Sequence, residues 1–231
     1  RGTAAAMYLA AAGVGTIGLA DNKDIGITDI QRQPIFFNSD IGRKKAIMLG
    51  NRLKEINPEV EVVPSPNKLR YDNTANHVTK YDIILDCTDN CPSHYLLNDA
   101  CVLNGKPLVF ATVIKFDGQA SVFYAAKGPC YRCLYRNPPN PDTVYEAEQV
   151  GVLGPAAGLA GLMQATETIK LITGFGSPLI GRILFFSASD MYFHEAAVKK
   201  DENCAVCGKN PTVKQLIDYE EFCGVKQAPL S

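Results

Sequence analysis

A chain of 231 residues can bury a sizeable core, as one large domain or two small ones, and its 46% hydrophobic and 20% charged content is ordinary for a globular protein. A formal net charge of −1 excludes broad electrostatic binding to nucleic acid or to an anionic membrane surface. Every apolar run is broken by Gly, Pro, Lys or Asp before it could span a bilayer, and residues 3–19 fit a buried helix and strand better than a signal peptide.

Strands and helices alternate along the chain. Residues 4–12 read as a helix, which Gly13, lacking a Cβ, closes in the left-handed conformation. Residues 16–20 are a short apolar run ending in Asp21, the pattern of a buried parallel strand. Ile47, Leu49, Leu53 and Ile56 give residues 44–56 a helical period that stops before Pro58. Strands follow at 60–63 and 82–85, a helix at 95–104, and strands at 108–111 and 119–124. Residues 137–142, rich in Pro and Asn, read as a flexible loop. Residues 158–173 form the longest predicted helix, and 183–186 with 191–199 a late antiparallel hairpin. No internal repeat is visible. The alternation predicts an α/β fold: a Rossmann-like, mostly parallel sheet with helices on both faces and late antiparallel strands.

Ligands of open α/β sheets bind beyond the carboxyl ends of the strands, and three polar segments fall there. Asp21 can reach a ribose hydroxyl from its strand end, or serve as an ordinary loop acid. Asp29-Ile30-Gln31-Arg32-Gln33 and Gly42-Arg43-Lys44-Lys45 offer basic side chains from two loops. Guanidinium and ammonium groups converging in this way clamp phosphate; otherwise they are simply solvated. Asp86-Cys87-Thr88-Asp89-Asn90 supplies two carboxylates and an amide, hard oxygens suited to Mg²⁺ beside a phosphate clamp, or an Asx turn capping the next helix. Together the three segments point to nucleotide binding. His77, His94 and His194 have no metal-like partner at local spacing and read as surface or core residues. No Ser-His-Asp or Cys-His arrangement stands out.

Among eight cysteines, Cys130-Tyr131-Arg132-Cys133 and Cys204-Ala205-Val206-Cys207 form two Cys-x-x-Cys pairs. Each pair can point two thiolates at one ion, and together they predict a closed Cys₄ zinc site that is structural, having no open position for catalysis. Disulfides or an iron–sulfur cluster are the alternatives. Cys87, Cys91, Cys101 and Cys223 have no evident partner, and the cytosol is the expected compartment.

Gly13-Val14-Gly15, Gln31-Arg32-Gln33, Asp40-Ile41-Gly42 with Lys45, Asp86-Cys87-Thr88-Asp89-Asn90, Gly118-Gln119, Pro129-Cys130-Tyr131-Arg132-Cys133, Gly151-Val152-Leu153-Gly154-Pro155, Gln164-Ala165-Thr166-Glu167 and Cys204-Ala205-Val206-Cys207-Gly208 follow one another in this order. The series resembles the ThiF/MoeB/HesA family, relatives of the ubiquitin-activating enzymes, over almost the whole chain. Asn210-Pro211-Thr212-Val213 and residues 216–224 resemble the MoeB-type branch, which usually continues into a rhodanese sulfur-transfer domain.

The resemblance implies a single adenylation domain over 1–231, with 209–231 as a tail towards such a rhodanese domain. It implies an ATP-dependent adenylyltransferase that activates the C-terminal glycine carboxylate of a ubiquitin-like sulfur carrier (ThiS-, MoaD- or Urm-like) as an acyl-adenylate. Thiamine synthesis, molybdopterin synthesis and tRNA thiolation are all open as the destination of the sulfur. ATP with Mg²⁺ is the implied cofactor and a homodimer the implied assembly. By motif position, Arg32 and Lys45 would hold phosphates, Asp89 would hold Mg²⁺ and Asp21 would lie near the adenosine. Asp29, Gln33 and Asn90 belong to the same binding motifs.

The sequence also departs from the family. The glycine-rich phosphate loop and the strand before it would precede Ala4, where this chain has Arg1-Gly2-Thr3. Lys23 replaces an acidic residue expected to hold the ribose, Asp29 replaces an Asn, and His94 replaces an Arg. A family loop cysteine would fall near Ala147, yet no cysteine lies between Cys133 and Cys204, so no thioester or persulfide step can use that residue. A second reading is therefore a degenerate member that binds a ubiquitin-like protein or a sister subunit without activating it. A nicotinamide-dependent oxidoreductase is disfavoured, because no complete Gly-x-Gly-x-x-Gly follows a strand and the cysteine pairs would be left unexplained.

Overall fold

The computed structural model describes residues 1–140 and 150–224. Helix α1 (Gly2–Ala11) buries Ala5, Ala6, Leu9 and Ala10, and Gly13 follows it at φ +77°, as its missing Cβ allows. Strand β1 (Thr16–Ala20) leads to a one-turn helix α2 (Ile27–Ile30), a 3₁₀ turn (Asn38–Asp40) and helix α3 (Lys45–Ile56). Strand β2 (Glu61–Ser65) then pairs parallel with β1, Ile17 opposite Val62. This is a βαβ unit. Its core joins Leu9 and Ala10 of α1 and Ile17 of β1 to Met48, Leu49 and Leu53 of α3 and Val62 of β2.

The second sheet has five strands. A short helix α4 (Thr74–Val78) precedes strand β3 (Ile84–Asp86), and helix α5 (Cys91–Leu103) returns the chain to strand β4 (Leu108–Ile114), which is parallel to β3. Strand β5 (Asp117–Phe123) is antiparallel to β4, and the short helix α6 (Tyr131–Leu134) follows. Helix α7 (Gly154–Thr173) is closed by Gly174 at φ +71°. Strands β6 (Arg182–Ser187) and β7 (Tyr192–Ala197) complete the order β3-β4-β5-β6-β7, and the last helix is α8 (Tyr219–Phe222).

Strand β4 is buried on both sides, and its alternation assigns the faces. Leu108 and Phe110 pack with Tyr95, Leu96 and Ala100 of α5, whereas Val109, Ala111 and Val113 pack with Ala156 and Ala160 of α7. Helices therefore cover both faces, as expected. Leu85 of β3 packs against both the βαβ core and the α7 side of the five-stranded sheet.

The expectation of a mostly parallel sheet needs correction. Among the described residues only β1–β2 and β3–β4 pair in parallel, and β4–β5, β5–β6 and β6–β7 are antiparallel. Only two residues, Lys115 and Phe116, join β4 to β5. A parallel neighbour needs a crossover of a dozen or more residues, so a connection this short makes a hairpin. Lys115 sits at φ +55° to close it. The late hairpin forms as expected. Helices α5 and α7 each begin four residues before their predicted starts, because Pro92 and Pro155 lie in their first turns, where a missing N–H costs nothing. Of the loop expected at 137–142, residues 141 and 142 lie outside the described residues, as does Ala147. No helix among the described residues is long and apolar enough to cross a membrane.

Helices α1 and α7 meet through small residues. A Cβ on Gly161 would lie 2.3 Å from the Arg1 carbonyl oxygen and 2.9 Å from Ala4 Cβ. Gly161→Ala is accordingly expected to lower stability by about 1–3 kcal/mol, the usual cost of overpacking. A urea midpoint that falls at unchanged slope would show it.

Candidate functional site

Asp29 organises the first cluster. Only 4% exposed, it accepts the Gly26 amide on Oδ2 at 2.9 Å. Its Oδ1 receives Arg32 Nη2 at 2.9 Å, Lys45 Nζ at 2.9 Å and Gln33 Nε2 at 3.4 Å. Burial opposes ionisation of this carboxyl. The Lys45 hydrogen bond, the Gly26 amide and the Lys45 and Arg32 charges outweigh it and hold its pKa below the usual carboxylate range. The fold thus brings Asp29, Arg32, Gln33 and Lys45 together across the loop between α2 and α3. It does not bring in Arg43 and Lys44, which turn to Asp40 (3.6 Å) and Asp24 (2.8 Å).

The second cluster lies at the carboxyl end of β3. Asp86 is fully buried and accepts the Thr88 amide (3.0 Å) and hydroxyl (2.7 Å), with His94 Nδ1 at 2.7 Å. Burial would raise its pKa, but His94 and Thr88 lower it overall. Asp86 is therefore committed to the interior, and His94, 8% exposed, is a core residue. Asp89 is half-exposed, with Lys23 Nζ at 3.9 Å and Asn90 Nδ2 at 3.3 Å. Burial again opposes ionisation, and Lys23 and Asn90 outweigh it. Asn90 also caps α5 through the Ser93 amide at 3.0 Å.

Asp21 accepts the Lys23 amide at 2.8 Å, so its carboxylate fixes the turn that carries Lys23 across to Asp89. Arg1 reaches the second cluster, where its guanidinium donates to the carbonyls of Thr88 and Ala111. No direct contact joins Asp89 to Arg32 or Lys45 among the described residues. A shallow depression of about 540 Å³ lies beside the first cluster, bordered by Ile30, Pro34, Phe36 and Phe37 rather than by the charged groups.

Sequence reading quotes Gln164, Gln31 and Gly154 within motifs but gives none of them a role in steadying these loops. Gln164 of α7, fully buried, donates to the carbonyls of Asp86 (2.7 Å) and Val109 (3.1 Å). Its signal is a glutamine on the apolar face of a long helix, which must find partners if buried. Gln31 Nε2 reaches the Val152 carbonyl at 3.3 Å, and a Cβ on Gly154 would fall 2.2 Å from the Gln31 carbonyl oxygen. The Gln31-Arg32-Gln33 turn is thus pressed against the start of α7.

The four cysteines of the two pairs converge. Cys130 caps α6, Cys133 lies within it, and Cys204 and Cys207 come from the loop after β7. The four sulfurs all lie within 4.8 Å of one another, with contacts of 3.5 Å (Cys130–Cys204) and 3.4 Å (Cys133–Cys207). Zinc–sulfur bonds of about 2.3 Å place tetrahedral sulfurs roughly 3.8 Å apart, so the group is the right size for one metal ion. The Asp201 amide donates to Cys133 Sγ at 3.4 Å. A Cβ on Gly208 would lie 2.5 Å from the Cys204 carbonyl oxygen, so the tight turn after the second pair requires glycine.

Arg132 lies inside the first pair and is 4% exposed. Its Nε and Nη2 each donate at 2.8 Å to the fully buried Asp99 of α5. The same carboxylate accepts Asn98 Nδ2 (2.9 Å) and the Tyr219 hydroxyl of α8 (2.7 Å). The guanidinium also lies 4.8 Å from the Tyr95 ring centre and 4.7 Å from that of Phe222.

Known proteins share this framework. The crystal structure of Escherichia coli MccB with ATP superposes at a TM-score of 0.76 and 22% identity, covering 90% of this chain and 63% of that one, a likeness of fold. The sulfur carrier protein adenylyltransferase of Thermus thermophilus is 39% identical over 224 residues, 95% of this chain and 83% of its own length. The adenylyltransferase and sulfurtransferase MOCS3 is 42% identical in Aedes aegypti over 226 residues, and 42% identical in Mus musculus over 220. This chain spans 52% and 48% of those two proteins, about half of their length. The profile of the ThiF family matches residues 1–206, which take in both charged clusters and three of the four converging cysteines, and the chain is a member of that family.

Proposed function

We propose that this chain is an ATP-dependent adenylyltransferase that activates the C-terminal glycine carboxylate of a ubiquitin-like sulfur carrier. The observation that carries the reading is the convergence of Arg32 and Lys45 on one buried carboxylate, in a chain about 40% identical to relatives named for that activity. A carboxylate and a polyphosphate repel each other. Fixed cations must bring them into line and hold the charge that develops on the leaving pyrophosphate. Arg32 offers a planar fork of donors and Lys45 a compact charge, and Asp29 orients both while leaving the trio one net positive charge. Asp21 would border the adenosine.

Asp89 is partly solvated, and with Asn90 it presents the hard oxygens that would hold Mg²⁺ beside phosphate. The bound ion would supply charge neutralisation. The four cysteines would hold zinc as a structural brace, since all four positions are filled by protein sulfur. We further place the protein in the cytoplasm as a homodimer, with all of 1–231 serving as one adenylation domain.

ATP–pyrophosphate exchange that depends on an added carrier ending in Gly-Gly tests the proposal. Arg32→Ala or Lys45→Ala is expected to lower that exchange by about 10²–10³-fold, the range seen when a transition-state donor is removed. Carrier binding without any exchange by the unsubstituted protein would instead support a binding module. Lys23 and Asp29, standing where the family resemblance expects an acidic residue and an Asn, favour that second reading.

A further inference from the structure

Four of the eight cysteines belong to the tetrad, Cys87 donates to Gln164 Oε1 at 3.6 Å, and Cys101 is buried in the α5 core. The remaining two face each other. Cys91, the first residue of α5, and Cys223, just after α8, lie 132 positions apart in sequence, yet their sulfurs are 3.4 Å apart. The approach is built in, because α8 is held on several sides. Asp218 caps it through the Glu220 and Glu221 amides, Tyr219 bonds Asp99, Phe222 packs edge-on to Tyr95 at 5.3 Å beside Arg132, and Glu220 pairs with Lys68. A disulfide has an S–S bond of about 2.05 Å, so closure needs roughly 1.4 Å of sulfur movement, within reach of small side-chain rotations. Accessibility is asymmetric. Cys91 is half-buried and open to a small reagent, whereas Cys223 is 4% exposed.

We propose that Cys91 and Cys223 form a reversible dithiol–disulfide site that fastens residues 219–224 to the first turn of α5. The oxidant is a low-molecular-weight disulfide. The Cys91 sulfur attacks one sulfur of the reagent, breaking its S–S bond and releasing one reagent thiol. The Cys223 sulfur then attacks the Cys91 sulfur of the mixed disulfide and releases the second. Two electrons and two protons pass from the protein to the reagent, which leaves as two thiols. A reversible pair of this kind suits a reducing compartment, where disulfides are transient and sensing rather than structural. Because Asp89 and Asn90 immediately precede Cys91, the bond would form at the root of the loop that carries them.

The test uses the full, metal-loaded chain, incubated with oxidised glutathione, alkylated and mapped by mass spectrometry without reduction. The expected result is a cross-link between the tryptic peptides carrying Cys91 and Cys223. It should weigh two hydrogens less than the sum of the two peptides, disappear with dithiothreitol or in Cys91→Ser, and persist in Cys87→Ser. A stable glutathione adduct on Cys91 with Cys223 alkylated would overturn the proposal. So would alkylation of both thiols after prolonged exposure.

Discussion

Cys204→Ser is expected to reduce the metal content of the purified protein from about one zinc per chain to near zero, with a loss of several kcal/mol of stability. Cys204 is 3% exposed and contributes one of four sulfurs packed within 4.8 Å. Serine offers a hard, poorly ionised oxygen where a soft thiolate binds, and three remaining thiolates in that space repel one another without a cation. Structural zinc in small zinc-finger domains is worth about 10–16 kcal/mol and acts directly on folding. The four cysteines form a small cluster of their own, so the loss falls first on α6 and residues 201–208. It passes to the sheet core through Tyr131, which packs on Phe110 and Phe123. Elemental analysis with a denaturation curve reads both effects. A full equivalent of zinc in the variant, or iron with visible absorption in the unsubstituted protein, would refute the zinc assignment.

The second large effect is expected at Asp99. Asp99→Ala removes a fully buried carboxylate and leaves Arg132, 4% exposed, as an uncompensated cation between two aromatic rings. Breaking a buried pair from one side costs about 3–5 kcal/mol. Burial works against the charge on Arg132, but the Asp99 hydrogen bonds more than offset it and raise its pKa. Burial, then the Asp99 charge, pushes the Tyr219 hydroxyl well up, so it remains a protonated donor to the same carboxylate. Replacing both partners with apolar groups, as in Asp99→Leu with Arg132→Met, is expected to recover much of the loss, because the penalty lies in the orphaned charge. Urea midpoints for the two singles and the double form the cycle that isolates it. A single-variant loss below about 1 kcal/mol would contradict this account.

Legibility in the sequence follows the range of the interactions. Residues 16–20 match β1, and 44–56 differ from α3 by one residue, because periodicity over a whole element is local information. The one-turn helices α2, α6 and α8 have four residues each, too few to display a 3.6-residue period. The cysteine tetrad is legible because each Cys-x-x-Cys spacing fixes half of its geometry within four residues. Arg132 lies inside that motif, but its partner is 33 positions away and nothing local names it. The charges of Arg32 and Lys45 are readable as loose basic residues. Their meeting on one oxygen of Asp29 depends on the path of the chain through Phe36 and the 3₁₀ turn. The pairing of Cys91 with Cys223 is the extreme case, since helix α8, which sets it, has no signal of its own.

The position of Arg132 makes α5 a rigid strut. Thirteen residues at 1.5 Å each span about 20 Å, with Asn90 at one end and Asp99 roughly 13 Å along it. Asp99 is bolted to the cysteine knuckle through Arg132 and to the C-terminal segment through Tyr219. Loosening the knuckle would therefore free the far end of the strut and let its near end tilt. A disturbance that begins at sulfur would be felt as misalignment of Asp89.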